Sequence, residues 1–126
     1  MKPDSIEKNS FRIIEEEAGA HGFSPRKWQI VRRMIHTTAD FEFIQSVRFH
    51  SRAIDAGLRA IRNGSPIFTD TNMARVGLRR KEMDRFNITA KCLISDPGIL
   101  EVARKKKITR ARAAVDVAAP DMDGAI

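Results

Sequence analysis

The sequence contains no tyrosine, one tryptophan (Trp28) and one cysteine (Cys92). A lone cysteine excludes an internal disulfide and any multi-cysteine zinc site. It falls within 90–94, an apolar run that reads as a strand, where a thiol is far more often core than nucleophile. Glycines are few and scattered. Neither the dinucleotide fingerprint nor the P-loop pattern occurs, so the chain has no glycine-rich cradle for a phosphate. No apolar run nears the roughly 20 residues that a membrane span needs, and Met1-Lys2-Pro3-Asp4-Ser5 lacks the apolar core of a signal peptide. The three histidines, His21, His36 and His50, have no paired metal-ligand spacing, and the carboxylates show no calcium loop. These absences predict a cytoplasmic protein away from membranes, with no bound metal or nucleotide.

Positive charge, by contrast, is plentiful. There are 23 Lys and Arg against 16 Asp and Glu, giving a net charge of +7 and a pI near 10.2. Such an excess suits an anionic partner: nucleic acid, acidic lipid or a small polycarboxylate. The densest basic run, Arg104-Lys105-Lys106-Lys107 with Arg110 and Arg112, would supply phosphate contacts. It has no aromatic neighbour for base stacking and no nucleic-acid-binding motif around it. A solvated helix end is the commoner outcome of such a run.

With 126 residues, 42% hydrophobic and 31% charged, the composition is that of one ordinary globular domain, residues 1–126, without repeats or linkers. Residues 5–18 read as a helix, with Asp4 or Ser5 as N-cap and Gly19 near its end. Within it, Glu15-Glu16-Glu17 reads as a solvated face. Ser24-Pro25 predicts a second helix, a capping hydroxyl followed by proline at the first helical position, with Trp28, Val31 and Ile35 as its apolar stripe. Residues 40–44 alternate like a short strand but are too few to exclude a helix. Residues 51–62 form a third helix, stopped by Gly64.

Two short apolar runs, 66–70 and 90–94, predict buried strands. Between them lies a helix carrying Met73, Val76 and Met83. Ser95-Asp96-Pro97-Gly98 opens a further helix, and Thr109 caps the last one, which fades by Ala119-Pro120. Gly124-Ala125-Ile126 resembles the start of a third strand. This order predicts an α/β fold, a parallel sheet flanked by helices. In such sheets ligands sit beyond the carboxyl ends of the strands, which makes Asp70-Thr71 and Ser95-Asp96 site candidates, with helix capping as the competing role.

The richest chemistry lies in Arg33-Met34-Ile35-His36-Thr37-Thr38-Ala39-Asp40. Spacings of three and four put Arg33, His36 and Asp40 on one face if the helix runs through them. Histidine exchanges a proton near neutral pH, arginine grips a carboxylate through its planar fork, and Asp40 could orient the imidazole. Capping of the next segment is the competing role for Asp40.

Taken in order, Ile6-Glu7-Lys8-Asn9-Ser10-Phe11, Arg33-Met34-Ile35-His36-Thr37-Thr38-Ala39-Asp40-Phe41, Ala53-Ile54-Asp55-Ala56-Gly57, Gly64-Ser65-Pro66-Ile67, Asp70-Thr71-Asn72-Met73, Cys92-Leu93-Ile94-Ser95-Asp96 and Thr109-Arg110-Ala111 resemble the precorrin isomerase (precorrin-8X methylmutase) family of cobalamin biosynthesis. The ordered set spans nearly the whole chain. The resemblance implies an α/β enzyme, homodimeric and cofactor-free, that moves a methyl group between adjacent ring carbons of an anionic corrin precursor, precorrin-8X or its cobalt form. It places the catalytic histidine on His36 and substrate contacts on Ser10 and Arg33, with Arg110 a further carboxylate ligand. A substrate rimmed with acetates and propionates would also account for the positive charge. The family continues past the Gly-Ala-Ile strand start, so the sheet is expected to be incomplete at the C-terminus. The alternatives are a non-catalytic tetrapyrrole-binding relative, an inactive fragment and, less favoured, a basic nucleic-acid-binding module.

Overall fold

The computed structural model describes residues 3–126; Met1 and Lys2 lie outside the described residues. By its internal packing the chain divides into two compact units, Met1–Ile54 and Asp55–Ile126.

The first unit is a helical hairpin with a short helix after it. Helix α1 (Pro3–Ala18) starts earlier than its capping residues suggest, so Asp4 and Ser5 lie within its first turn. Gly19 ends it with φ of 59°, a left-handed conformation that costs a residue without Cβ little. Helix α2 (Pro25–Thr38) follows, with Pro25 in its first turn as expected. The Ser24 hydroxyl makes no capping bond; the Ser24 carbonyl instead accepts from the Trp28 N–H at 2.9 Å. Trp28, Val31 and Ile35 are buried as the stripe predicted, and they join Ile14 of α1 in one cluster. Contacts from Glu7 to Arg33 and from Glu15 to Trp28 show that the two helices run antiparallel. Thr37 and Thr38 donate their hydroxyls to the Arg33 and Met34 carbonyls. Ala39 then takes φ of 56° and stops the helix. Residues 40–44 are not a strand: a turn leads into helix α3 (Phe43–Ser46), which packs Phe41, Phe43 and Ile44 against the hairpin core.

The second unit holds the sheet. After helix α4 (Ala53–Arg62), Gly64 adopts φ of 67°, and a Cβ there would lie 3.0 Å from the Phe86 carbonyl oxygen. Strands β1 (Ile67–Phe68) and β2 (Ala90–Lys91) pair in parallel, Ile67 opposite Ala90. Each is much shorter than its apolar run, and Cys92 lies just past β2, as a free and half-buried thiol. On β1's other edge, the Ile126 N–H donates to the Pro66 carbonyl at 2.9 Å and the Phe68 N–H donates to the Ile126 carbonyl at 2.7 Å. That is the bonding of a third parallel strand centred opposite Ile67.

Between the strands the expected single helix is two, α5 (Asn72–Gly77) and α6 (Arg80–Arg85), leaving Met73 81% and Val76 74% exposed. Helices α7 (Pro97–Lys106) and α8 (Arg110–Ala118) pack through Ile99, Ala103, Ala113 and Ala114. A 3-10 turn, Ala119–Asp121, follows where the last helix was expected to fade. The described residues are therefore mostly helical, with a small parallel sheet in the second unit. No helix among the described residues is long and apolar enough to cross a membrane.

Candidate functional site

The candidate site is the polar edge of the α1/α2 hairpin. On α1, Glu7, Phe11, Ile14 and Glu15 share the inner face through spacings of three and four; on α2, Trp28, Arg32, Ile35 and His36 do the same. Burying Ile14 and Ile35 between the helices fixes their rotation about their axes. It also sets the flanking polar residues beside one another.

His36 is exposed, in the last turn of α2. It lines an open pocket of about 180 Å³ whose floor is Ile14 and Ile35 and whose wall includes Ser10, Glu17, Ala39 and Phe41. The imidazole packs on Phe11, with ring centroids 5.0 Å apart and planes tilted by 52°. The Arg33 guanidinium lies 4.8 Å from the centre of the same ring, and that of Arg32 lies 4.5 Å from it. Each arginine also has a carboxylate: Arg33 donates to Glu7, and Arg32 donates to Glu15 at 3.3 Å. Arg33 and His36, which the spacing was expected to point into one pocket, both lie against the Phe11 ring. Arg33 stands beside the pocket and is not part of its lining.

Glu15 is exposed, as its acidic run suggests, but it is also bonded across the hairpin. Both of its oxygens accept from the Trp28 Nε1–H, at 3.0 and 2.9 Å. The Trp28 bond, reinforced by the Arg32 guanidinium, holds its carboxyl below the ordinary carboxylate value. His21 stacks on the other part of this cluster, its ring 3.8 Å from Trp28. Glu16 pairs with Arg12, and only Glu17 faces the pocket.

Asp40 is a correction. The helix ends at Thr38, and the left-handed Ala39 turns the chain away, so the spacing of four no longer carries Asp40 onto the His36 face. Its Oδ1 accepts from the Glu42 N–H at 2.9 Å, tying the turn before α3, and no hydrogen bond joins it to His36 among the described residues. Arg110 is exposed at the first position of α8, in the second unit.

The strand-end candidates are largely caps. Thr71 Oγ1 accepts from the Ala74 N–H at 3.1 Å, and Asp96 Oδ1 accepts from the Gly98 N–H at 2.8 Å. Asn72 Nδ2 donates to Ser95 Oγ at 3.1 Å, joining the two strand ends. Asp70 borders a separate apolar pocket of about 180 Å³ among Phe68, Leu93, Ala114 and Ala118. No group of three or more metal-ligating side chains is assembled among the described residues. The basic run at the end of α7 is solvated, with Lys105 paired to Glu101 at 2.8 Å. Cations there also suit the negative end of the helix dipole.

Sequence reasoning missed Phe11, Glu7 and Glu15 as members of this cluster. The helical periodicity of α1 carries the signal, since all three fall on the face of Ile14.

A family model for precorrin-8X methylmutase matches residues 5–126. The chain belongs to the precorrin-8X methylmutase family. A cobalt-precorrin-8 methylmutase of Leptospira interrogans is 42% identical over 107 residues, covering 85% of this chain and 49% of that protein. The Priestia megaterium cobalt-precorrin-8 methylmutase is 38% identical over 126 residues, 100% of this chain and 56% of that protein. The crystal structure of a precorrin-8X methylmutase from Thermus thermophilus superposes with a TM-score of 0.79 at 46% identity, over 93% of this chain and 56% of that one. The chain therefore spans about half the length of the methylmutases it matches. Ser10, Arg33 and His36 all fall inside the matched region and inside one compact unit.

Proposed function

We propose that this chain carries the proton-transfer end of a methylmutase site, acting on precorrin-8X or its cobalt form. The observation that carries the reading is the exposed His36 imidazole at the mouth of a pocket that also holds Ser10, in a chain of this family. At about 180 Å³ the pocket is smaller than the roughly 300–1,000 Å³ that enclose a drug-sized ligand, so it takes one edge of a macrocycle. The imidazole delivers a proton to that edge, drawing electron density from the neighbouring carbon, and recovers it once the methyl group has moved. The rearrangement is intramolecular, so atoms and electrons balance without a redox cofactor. General acid catalysis of this kind contributes roughly 10²–10⁴-fold.

Ser10 is placed to hydrogen-bond a ring substituent. Arg33 keeps donors beyond the one given to Glu7, and these serve a carboxylate of the substrate. Arg110 is assigned a second carboxylate on the resemblance alone. The family match runs through both units without a break, which supports reading 1–126 as part of one α/β domain. A homodimer in the cytoplasm, binding an anionic corrin precursor and no nucleic acid, completes the reading.

The test follows the visible spectrum of precorrin-8X, in metal-free and cobalt forms, on addition of the full-length protein. Conversion is expected, and His36→Ala should slow it by about 10²–10⁴-fold without loss of fold, since His36 is exposed. Unimpaired turnover by His36→Ala would sink the assignment. Binding without conversion by the unmutated protein would make it a tetrapyrrole carrier.

A further inference from the structure

Phe11 lies next to Ser10 in the chain, and its ring meets three functional groups at once. The His36 imidazole is at 5.0 Å, the Arg33 guanidinium at 4.8 Å and the Arg32 guanidinium at 4.5 Å from its centre. Its inner side packs on the cluster of Ile14, Trp28, Val31 and Ile35. Filling the core accounts for that inner side. It does not account for the outer side, where the ring lies among two guanidiniums and an imidazole.

The surrounding charges reinforce the arrangement. Glu7 bonds Arg33 and Glu15 bonds Arg32, each from the same helix as Phe11, so each guanidinium meets a carboxylate while lying near the ring. An aromatic face attracts a cation through its quadrupole, and an imidazole packs on it as another ring does. A leucine of similar bulk supplies neither interaction.

On the methylmutase reading, we propose that Phe11 is a positioning residue. Its ring sets the His36 imidazole and the Arg33 guanidinium at a fixed spacing, so that a substrate held by a carboxylate arrives with one ring edge at the proton donor. Phe11 touches no reacting atom on this view; it acts through His36 and Arg33. Misplacement of a reacting group by about 1 Å can cost on the order of 100-fold in rate, so the spacing of donor and clamp matters even though both are exposed.

The test uses the full-length protein and two variants. In the unmutated protein, nuclear Overhauser contacts are expected between Phe11 ring protons and the His36 Cε1 and Cδ2 protons. Phe11→Leu, which keeps apolar bulk, should move the His36 resonances as the ring current is lost and lower kcat at least about tenfold. KM should rise as well, because Arg33 loses its support. Phe11→Tyr, which keeps the ring, should restore both the resonance positions and the rate. A purely structural role would instead reduce the folded fraction at unchanged KM, with Leu and Tyr ranked by stability. Absence of the Phe11–His36 contact in the unmutated protein overturns the proposal without any variant. So does a folded Phe11→Leu with unmoved His36 resonances and unchanged kcat. Absence of turnover in the unmutated protein with the contact present overturns the methylmutase reading instead, since the magnetic-resonance criteria need no substrate.

Discussion

The two compact units solve the problem of burial differently. In Met1–Ile54 the buried positions are large: Ile14, Trp28, Val31 and Ile35. In Asp55–Ile126 they are Ile99 and four alanines, Ala103, Ala113, Ala114 and Ala118. Large interlocking side chains fix helix rotation, and a fixed rotation is what an acid–base cluster on a helix edge requires. Alanines let α7 and α8 approach closely while contributing little apolar area each. That closeness suits a scaffold around short strands whose backbone groups must still be satisfied. The lesson is that the candidate site lies where the packing is most directional.

The largest stability test of this contrast is Ile35→Ala. Ile35 is 1% exposed, and its truncation should cost about 2–5 kcal/mol, read as faster hydrogen exchange of α1 and α2 amides. A cost under about 1 kcal/mol would mean that the hairpin core is looser than its burial indicates. Next comes the opposite change in the other unit. Ala113 is 0% exposed, so Ala113→Leu should overpack the α7/α8 contact and cost about 1–3 kcal/mol in denaturant unfolding; a neutral result would erase the distinction drawn here.

A smaller effect is expected from Glu15→Gln. The folded-state carboxyl of Glu15 is held low, first by the Trp28 bond and then by Arg32. Its stabilising contribution is therefore complete above the unfolded value of about 4.3 and is lost as pH falls through the lowered folded value. The variant should flatten acid unfolding of the hairpin in that window. Trp28, the single tryptophan, reports the change by fluorescence. Glu15 is half-exposed, so the shift should be modest. Smallest of all is Asp40→Asn. An amide oxygen can accept from the Glu42 N–H as the carboxylate does, so turnover by the full-length protein and the His36 proton resonances should both stay as they were. A marked fall in turnover would restore the orienting role that the turn at Ala39 removes.

The same contrast decides what was readable in the sequence. The α2 stripe, the proline start and the Arg33/His36 edge followed from a period near 3.6, because one helix packed against another obeys that period. Asp40 failed because nothing in Thr37-Thr38-Ala39 announces a left-handed stop, the usual residue there being glycine or asparagine. The strand runs 66–70 and 90–94 were found in the right places but shrank to two residues each. Their backbone partners, Thr89 and Ile126 for β1, are distant in sequence and leave no local trace. The break between α5 and α6 had only Gly77, the last residue of α5, to announce it, and an isolated glycine inside a helical pattern is a weak signal. The Phe11 cluster was legible in principle. The periodicity of α1 puts Glu7, Phe11 and Glu15 on the face of Ile14, but their partners on α2 appear only when the two helices are read against each other.

Ala39 has a consequence beyond ending a helix. Its left-handed conformation sends the following residues back beneath the hairpin, so that Phe41 becomes a wall of the same hollow as His36. The shape of that hollow is thus written into one pair of backbone torsions, with only a methyl group projecting there. Because Ala39 itself lines the hollow, a longer side chain at this position would project toward the space that His36 faces.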